Sequence, residues 1–122
     1  MRTVLIDDMA TARESLRNDL KTYAPDIQII GEAKGVVEGA KLIRQEKPDV
    51  VFLDIQMKDG SGFDLLEILG ETPFHLVFTT AHDGFAIKAF RFSAIDYLLK
   101  PIDPDELKEA LAKIRQTTPT PA

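Results

Sequence analysis

Hydrophobic residues in this chain fall into two kinds of run. Short, nearly unbroken blocks at residues 3–6, 27–30, 50–53 and 74–78, and a fifth inside 94–99, are too brief for helices and rich in β-branched or aromatic side chains, so each predicts a strand. Between them, apolar residues recur three or four positions apart. Ala12, Leu16, Leu20 and Tyr23 predict a helix over Ala10–Tyr23, and Val36, Ala40 and Ile43 one over Val36–Glu46. Pro25 and Pro48 stop these two, and Gly31 closes the strand between them. A short helix over 63–69 takes Gly70 as its C-cap, and a weaker helix spans 84–92. The last start is explicit: Asp103 at the N-cap, Pro104 at the first position and Glu106 at the third, with Lys113 and Arg115 in a final turn where cations suit the helix dipole.

Val50-Val51-Phe52-Leu53 has no polar alternation, the mark of a strand covered on both faces at the centre of a parallel sheet. Strands alternating with helices then predict a doubly wound α/β sandwich with a five-stranded parallel sheet. At 122 residues and 44% hydrophobic, the chain has room for one such domain, residues 1–116. Residues 117–122 carry no apolar pattern and read as a linker or frayed end. A net charge of −5 leaves no basic footprint for nucleic acid, so this domain is expected to bind none itself. No apolar stretch is long enough for a membrane span, and none is expected at a membrane. The chain has no cysteine, and acids stand directly behind its first apolar run, so the reading is a cytoplasmic domain with no signal peptide.

The chemistry collects at the strand ends. Asp7 and Asp8 end the first block, Asp54 the third, and Lys100-Pro101 the last. Parallel sheets of this kind place their binding crevice at the carboxyl ends of strands. Three carboxylates and one ammonium there point to a divalent cation with an anion beside it.

Five elements in order, Asp7-Asp8, Asp54, Gly62, Thr80-Ala81 and Lys100-Pro101, resemble the receiver domain of two-component response regulators over roughly residues 2–116. The segments DIQMKDGSGFDLLE and AFRFSAIDYLLKPID are similar to receivers attached to LytTR-type DNA-binding domains. One departure stands out: Lys58 occupies a position where many receivers have proline, which implies a changed loop path around an intact site.

The resemblance implies a flavodoxin-like (βα)5 fold and a phosphorylation-controlled switch. Asp54 is then the phosphoacceptor, with a sensor histidine kinase as donor. Asp8, Asp54 and the backbone carbonyl of Gln56 would hold Mg²⁺, with Asp7 behind them on a metal-bound water. Lys100, Thr80 and the Ala81 backbone would take the phosphoryl oxygens. Thr79 precedes Thr80 and either hydroxyl could face the site, but the small Ala81 leaves room for the phosphate and favours Thr80. Thr80 and Tyr97 would relay the change, and Gln56 and His82 would tune access of water to the acyl phosphate. The domain would catalyse its own phosphorylation and dephosphorylation without acting on outside substrates. The Lys100–Pro101 bond is expected to be cis. Ile87, Lys88, Phe90 and Arg91 lie on the helix over 84–92, which with the fifth strand and last helix would form a homodimer face regulating transcription through a further domain. Because Phe90 and Phe92 flank an arginine, at least one is expected in the core. His75 is expected to be structural or superficial.

Two other classes compete. A receiver-like interaction module independent of phosphorylation would not need the full set of site residues found here. A magnesium-dependent phosphatase would keep a second aspartate two positions after the nucleophile, where this chain has Gln56.

Overall fold

The structure is a computed structural model that describes residues 1–116, so the tail expected at 117–122 lies outside the described residues. Its main sheet has β1 (Arg2–Ile6), β2 (Gln28–Ala33), β3 (Val50–Asp54), β6 (His75–Thr80) and β7 (Asp96–Leu99), in the order β2-β1-β3-β6-β7 and all parallel. Between β3 and β6 the chain also makes a small antiparallel hairpin of β4 (Gln56–Met57) and β5 (Gly60–Ser61). The helices are α1 (Ala10–Tyr23), α2 (Val36–Glu46), α3 (Gly62–Leu69), α4 (Ala86–Arg91) and α5 (Pro104–Gln116). This is the expected doubly wound, flavodoxin-like sandwich.

Strand alternation divides the apolar side chains between two cores. Val4, Ile6, Leu53 and Phe78 face α2, α3 and α4, whereas Leu5, Phe52, Val77 and Leu98 face α1 and α5. Every residue of β3 is buried, as its unbroken run predicts. Phe52 and Phe78 are fully covered, and such burial contributes about 1.5–3 kcal/mol per side chain.

Besides the β4–β5 hairpin, which no apolar run predicts, three elements differ from the sequence reading. Gly31 does not close β2, which continues through Glu32 to Ala33 after an irregularity opposite Thr3 and Val4. Glycine reads as a terminator, but at this position it lets the strand pass close under Leu42. The fourth principal strand, β6, runs two residues further than its apolar block, because Thr79 and Thr80 complete the ladder to Asp54 and Leu99. Finally, α4 is shorter than the predicted helix. His75, at the start of β6, is buried and structural; burial holds its imidazole pKa below the ordinary value.

Candidate functional site

Because β1, β3, β6 and β7 are parallel neighbours, their carboxyl ends lie side by side, and the backbone fixes the loops that follow. Asp7 N–H donates to the Ala33 carbonyl (3.0 Å), Ile55 N–H to Thr79 (3.2 Å) and Lys100 N–H to Thr80 (2.8 Å). Residues 47 and 93 positions apart thereby meet. Carboxylate oxygens of Asp7, Asp8 and Asp54 all lie within 4.8 Å of one another. Lys100 Nζ is 2.6 Å from Asp7 Oδ2 and 3.5 Å from Asp54 Oδ2, and the Lys100–Pro101 peptide is cis.

The carboxylates have unequal surroundings. Asp54 is buried, and that burial, reinforced by Asp7 and then Asp8, pushes its carboxyl up to about 6 against the pull of Lys100 and the Gln56 backbone N–H. Asp8 and Asp54 line an open cleft of about 460 Å³ with Gln56, Thr80, His82 and Lys100. Asp7 lines the neighbouring groove beside α1, where its Oδ1 also accepts the Met9 N–H (2.9 Å). The donor set is all oxygen, which fits a hard divalent cation better than a soft metal.

Alternation also separates the two threonines. Thr79 lines the groove beside α1, and Thr80 lines the acidic cleft. The Thr80 hydroxyl accepts the His82 N–H (3.2 Å), while Tyr97 donates its hydroxyl to the His82 carbonyl and accepts the Phe85 N–H (3.3 Å). Both candidate relay residues therefore grip the His82 backbone. Ala81 and the His82 side chain line the same cleft. Ile87 and Phe90 stand 78% exposed on α4. Phe92 is only half-buried and stacks on Phe63 at 5.3 Å, so neither phenylalanine is the buried core residue expected, and Phe92 packs against the core from its margin.

Residues 3–112 match the family model of the response regulator receiver domain. This chain belongs to that family. It is 45% identical over 117 residues to the transcriptional regulatory protein BtsR of Escherichia coli K12, a match covering 95% of this chain and 48% of BtsR. Against the sensory transduction protein LytT of Bacillus cereus it is 37% identical over 118 residues, with the same shares covered. The chain thus spans about half the length of the curated relatives it matches. Among solved structures, the response regulator domain of Thermotoga maritima CheB superposes with a TM-score of 0.78 at 31% identity, covering 95% of this chain and 94% of that one.

The receiver also uses residues that the sequence reading passed over. Arg13 on α1 donates to the Asp7 carbonyl (2.6 Å) and pairs with Glu32 (3.3 Å), so it braces the acidic loop from behind. Ser61 and Asp64 form a reciprocal cap on α3, with Ser61 N–H to Asp64 Oδ2 at 2.9 Å and Asp64 N–H to Ser61 Oγ at 3.1 Å. Their three-residue spacing is a recognisable start signal. Arg13 and Glu32 have no such local signature. No helix among the described residues is long and apolar enough to cross a membrane.

Proposed function

We propose that this receiver is a phosphorylation-controlled switch acting in the cytoplasm, with residues 1–116 as the folded unit and 117–122 as a linker toward an output domain. The observation that carries this reading is the convergence of three carboxylates with Lys100 beside the buried Asp54. Asp8, Asp54 and the Gln56 carbonyl would hold Mg²⁺, with Asp7 supporting them from the adjoining groove. When bound, the cation supplies positive charge against the phosphoryl oxygens.

An Asp54 carboxylate oxygen attacks phosphorus while the bond from phosphorus to one ring nitrogen of a sensor kinase's phosphohistidine breaks. With the other ring nitrogen protonated, the electron pair leaves on a neutral imidazole, and Asp54 carries an acyl phosphate. Lys100 neutralises one phosphoryl oxygen, and the Thr80 hydroxyl and Ala81 backbone donate to others. Such chemistry depends mainly on positioning and charge neutralisation. The Thr80 hydroxyl accepts the His82 N–H and keeps its own proton to donate, so a turn of Thr80 toward the phosphoryl group acts on the His82 backbone. Tyr97, which donates to the carbonyl of the same residue, responds, and α4, β7 and α5 change the face they present. Gln56 and His82 at the cleft mouth govern access of water to the acyl phosphate. The exposed Ile87 and Phe90 suit a homodimer formed on activation, and the similarity to BtsR and LytT supports a transcriptional output through a LytTR-type DNA-binding domain.

Intact mass after incubation with acetyl phosphate tests this directly. The protein is expected to gain one phosphoryl group only with Mg²⁺, and Asp54→Asn is expected to gain none. Folded wild-type protein that shows no gain under rapid quenching would favour an interaction module independent of phosphorylation.

A further inference from the structure

The β4–β5 hairpin carries Gln56 at its root and Asp59 at its turn. The Asp59 carboxylate reaches across to another element and accepts the Val36 N–H (2.8 Å) and Val37 N–H (3.3 Å), the first turn of α2. Those bonds hold its carboxyl below the usual carboxylate range. Helix caps ordinarily come from the residue just before the helix. Here that residue is Gly35, which has no side chain to offer, and a Cβ in its place would stand 2.8 and 2.9 Å from the Asp59 oxygens. Gly35 thus leaves α2 uncapped locally and makes room for a cap from a distant loop.

The consequence for the hairpin matters more than that for the helix. Its ladder is only Gln56 with Ser61 and Met57 with Gly60, and an isolated two-stranded ribbon is marginal. One end is fixed by the Ser61–Asp64 cap on α3. Asp59 fixes the turn. Ile55 is pinned by its own N–H on the Thr79 carbonyl and by the Gly62 N–H on its carbonyl (2.8 Å). Beyond it Lys58 has no ring to restrict its backbone, so the path from Gln56 to Asp59 depends on the cap and on Asp59.

We propose that Asp59 is a positioning residue: by binding the first turn of α2 it holds the hairpin, and with it the Gln56 carbonyl, where the cation is bound. Mg²⁺ affinity then depends on a side chain outside the cation's own ligand set. This rests on the switch reading above.

The test is calorimetric titration with MgCl₂ of wild type, Asp59→Ala, Asp59→Asn and Asp26→Ala, beside urea unfolding of each. Asp26 pairs with Arg115, and its removal changes the net charge by the same amount as Asp59→Ala. Asp59→Ala is expected to weaken Mg²⁺ binding about tenfold, the scale seen for residues that orient ligands. Asp59→Asn keeps one acceptor oxygen and should recover part of the loss, and Asp26→Ala should bind as wild type does. In acetyl phosphate reactions, Asp59→Ala should need more Mg²⁺ for half-maximal rate but reach the wild-type rate at saturation. Folded Asp59→Ala with wild-type Mg²⁺ affinity, even if less stable to urea, would reduce Asp59 to a helix cap and overturn the proposal. Wild type that takes up no Mg²⁺ would overturn the switch reading itself, and the inference with it.

Discussion

α3 and α4 pack against the same face of the sheet and meet at Phe63, but they are held in different ways. α3 opens with a reciprocal cap, buries Gly62, Phe63, Leu65 and Leu66, and ends at Gly70 with a φ of 77°. Its first residue also lies so close to the site that a Cβ on Gly62 would stand 2.5 Å from the Asp54 carbonyl oxygen. α4 follows Phe85, has no side-chain cap, and buries only Ala89. Its other attachments are peripheral: Phe92 on Phe63, the Lys88 ammonium 4.7 Å from the Phe63 ring centre, and the Tyr97 hydroxyl on the preceding loop. The half that carries the acidic cluster is anchored to the core. α4 is held by few bonds, and weakly held elements are the ones that open most readily.

Phe63→Ala should produce the largest effect, because that ring also packs 5.1 Å from Phe78. Emptying such a position costs about 3–5 kcal/mol, readable as a lower urea midpoint. Amide exchange in α4 should accelerate more than in α1 or α5, which belong to the opposite core. Equal acceleration everywhere would show that α4 is no more loosely held than the rest.

Charge crowding loads the anchored half. The Asp54 carboxyl is raised from 3.8 to about 6 on folding, so the native state holds this proton more tightly than the unfolded chain. Its contribution is most favourable below pH 4 and is lost as pH rises through 6, a span on the order of 2–3 kcal/mol. His75 acts in the opposite sense, since its lowered pKa costs stability as pH falls below the ordinary imidazole range. The informative quantity is therefore wild-type stability relative to Asp54→Asn, in which His75 cancels. Urea unfolding between pH 4 and 7 without Mg²⁺ should show wild type losing ground steadily to the variant. Parallel curves would mean that the carboxylates relieve one another without the cation.

The contrast between the halves also explains what could be read in advance. Asp54, Asp8 and Lys100 were legible because hydrophobic blocks locate strand ends, and parallel topology brings those ends together. Thr80 could be preferred to Thr79 only through the small Ala81 after it, because the strand face that separates them lies past the end of the apolar block. The hairpin was hidden because two-residue strands have no periodicity to detect. Arg13 with Glu32, and Asp59 with α2, were hidden for another reason: their partners lie 19 and 23 residues away, and only the folded chain makes them neighbours. Phe90 and Phe92 flank one arginine, yet only the packing on Phe63 distinguishes the half-buried ring from the exposed one.

Phe90→Ala should disturb the fold least, since the ring is 78% exposed and substitutions at such surface positions usually fall within about 0.5 kcal/mol. Its effect belongs to association. If the α4 face closes a dimer on phosphorylation, Phe90 and the equally exposed Ile87 would supply its apolar centre, and exposed aromatics commonly carry much of an interface's energy. Light scattering over a concentration series, with acetyl phosphate and Mg²⁺, should then show wild type shifting toward twice its monomer mass, with Phe90→Ala remaining monomeric at the same concentrations. Phosphorylation of the variant, followed by intact mass, should be unchanged, because Phe90 does not line the acidic cleft. A variant that dimerises like wild type would separate the loosely held helix from the dimer face, and the interface would have to be sought elsewhere on the receiver.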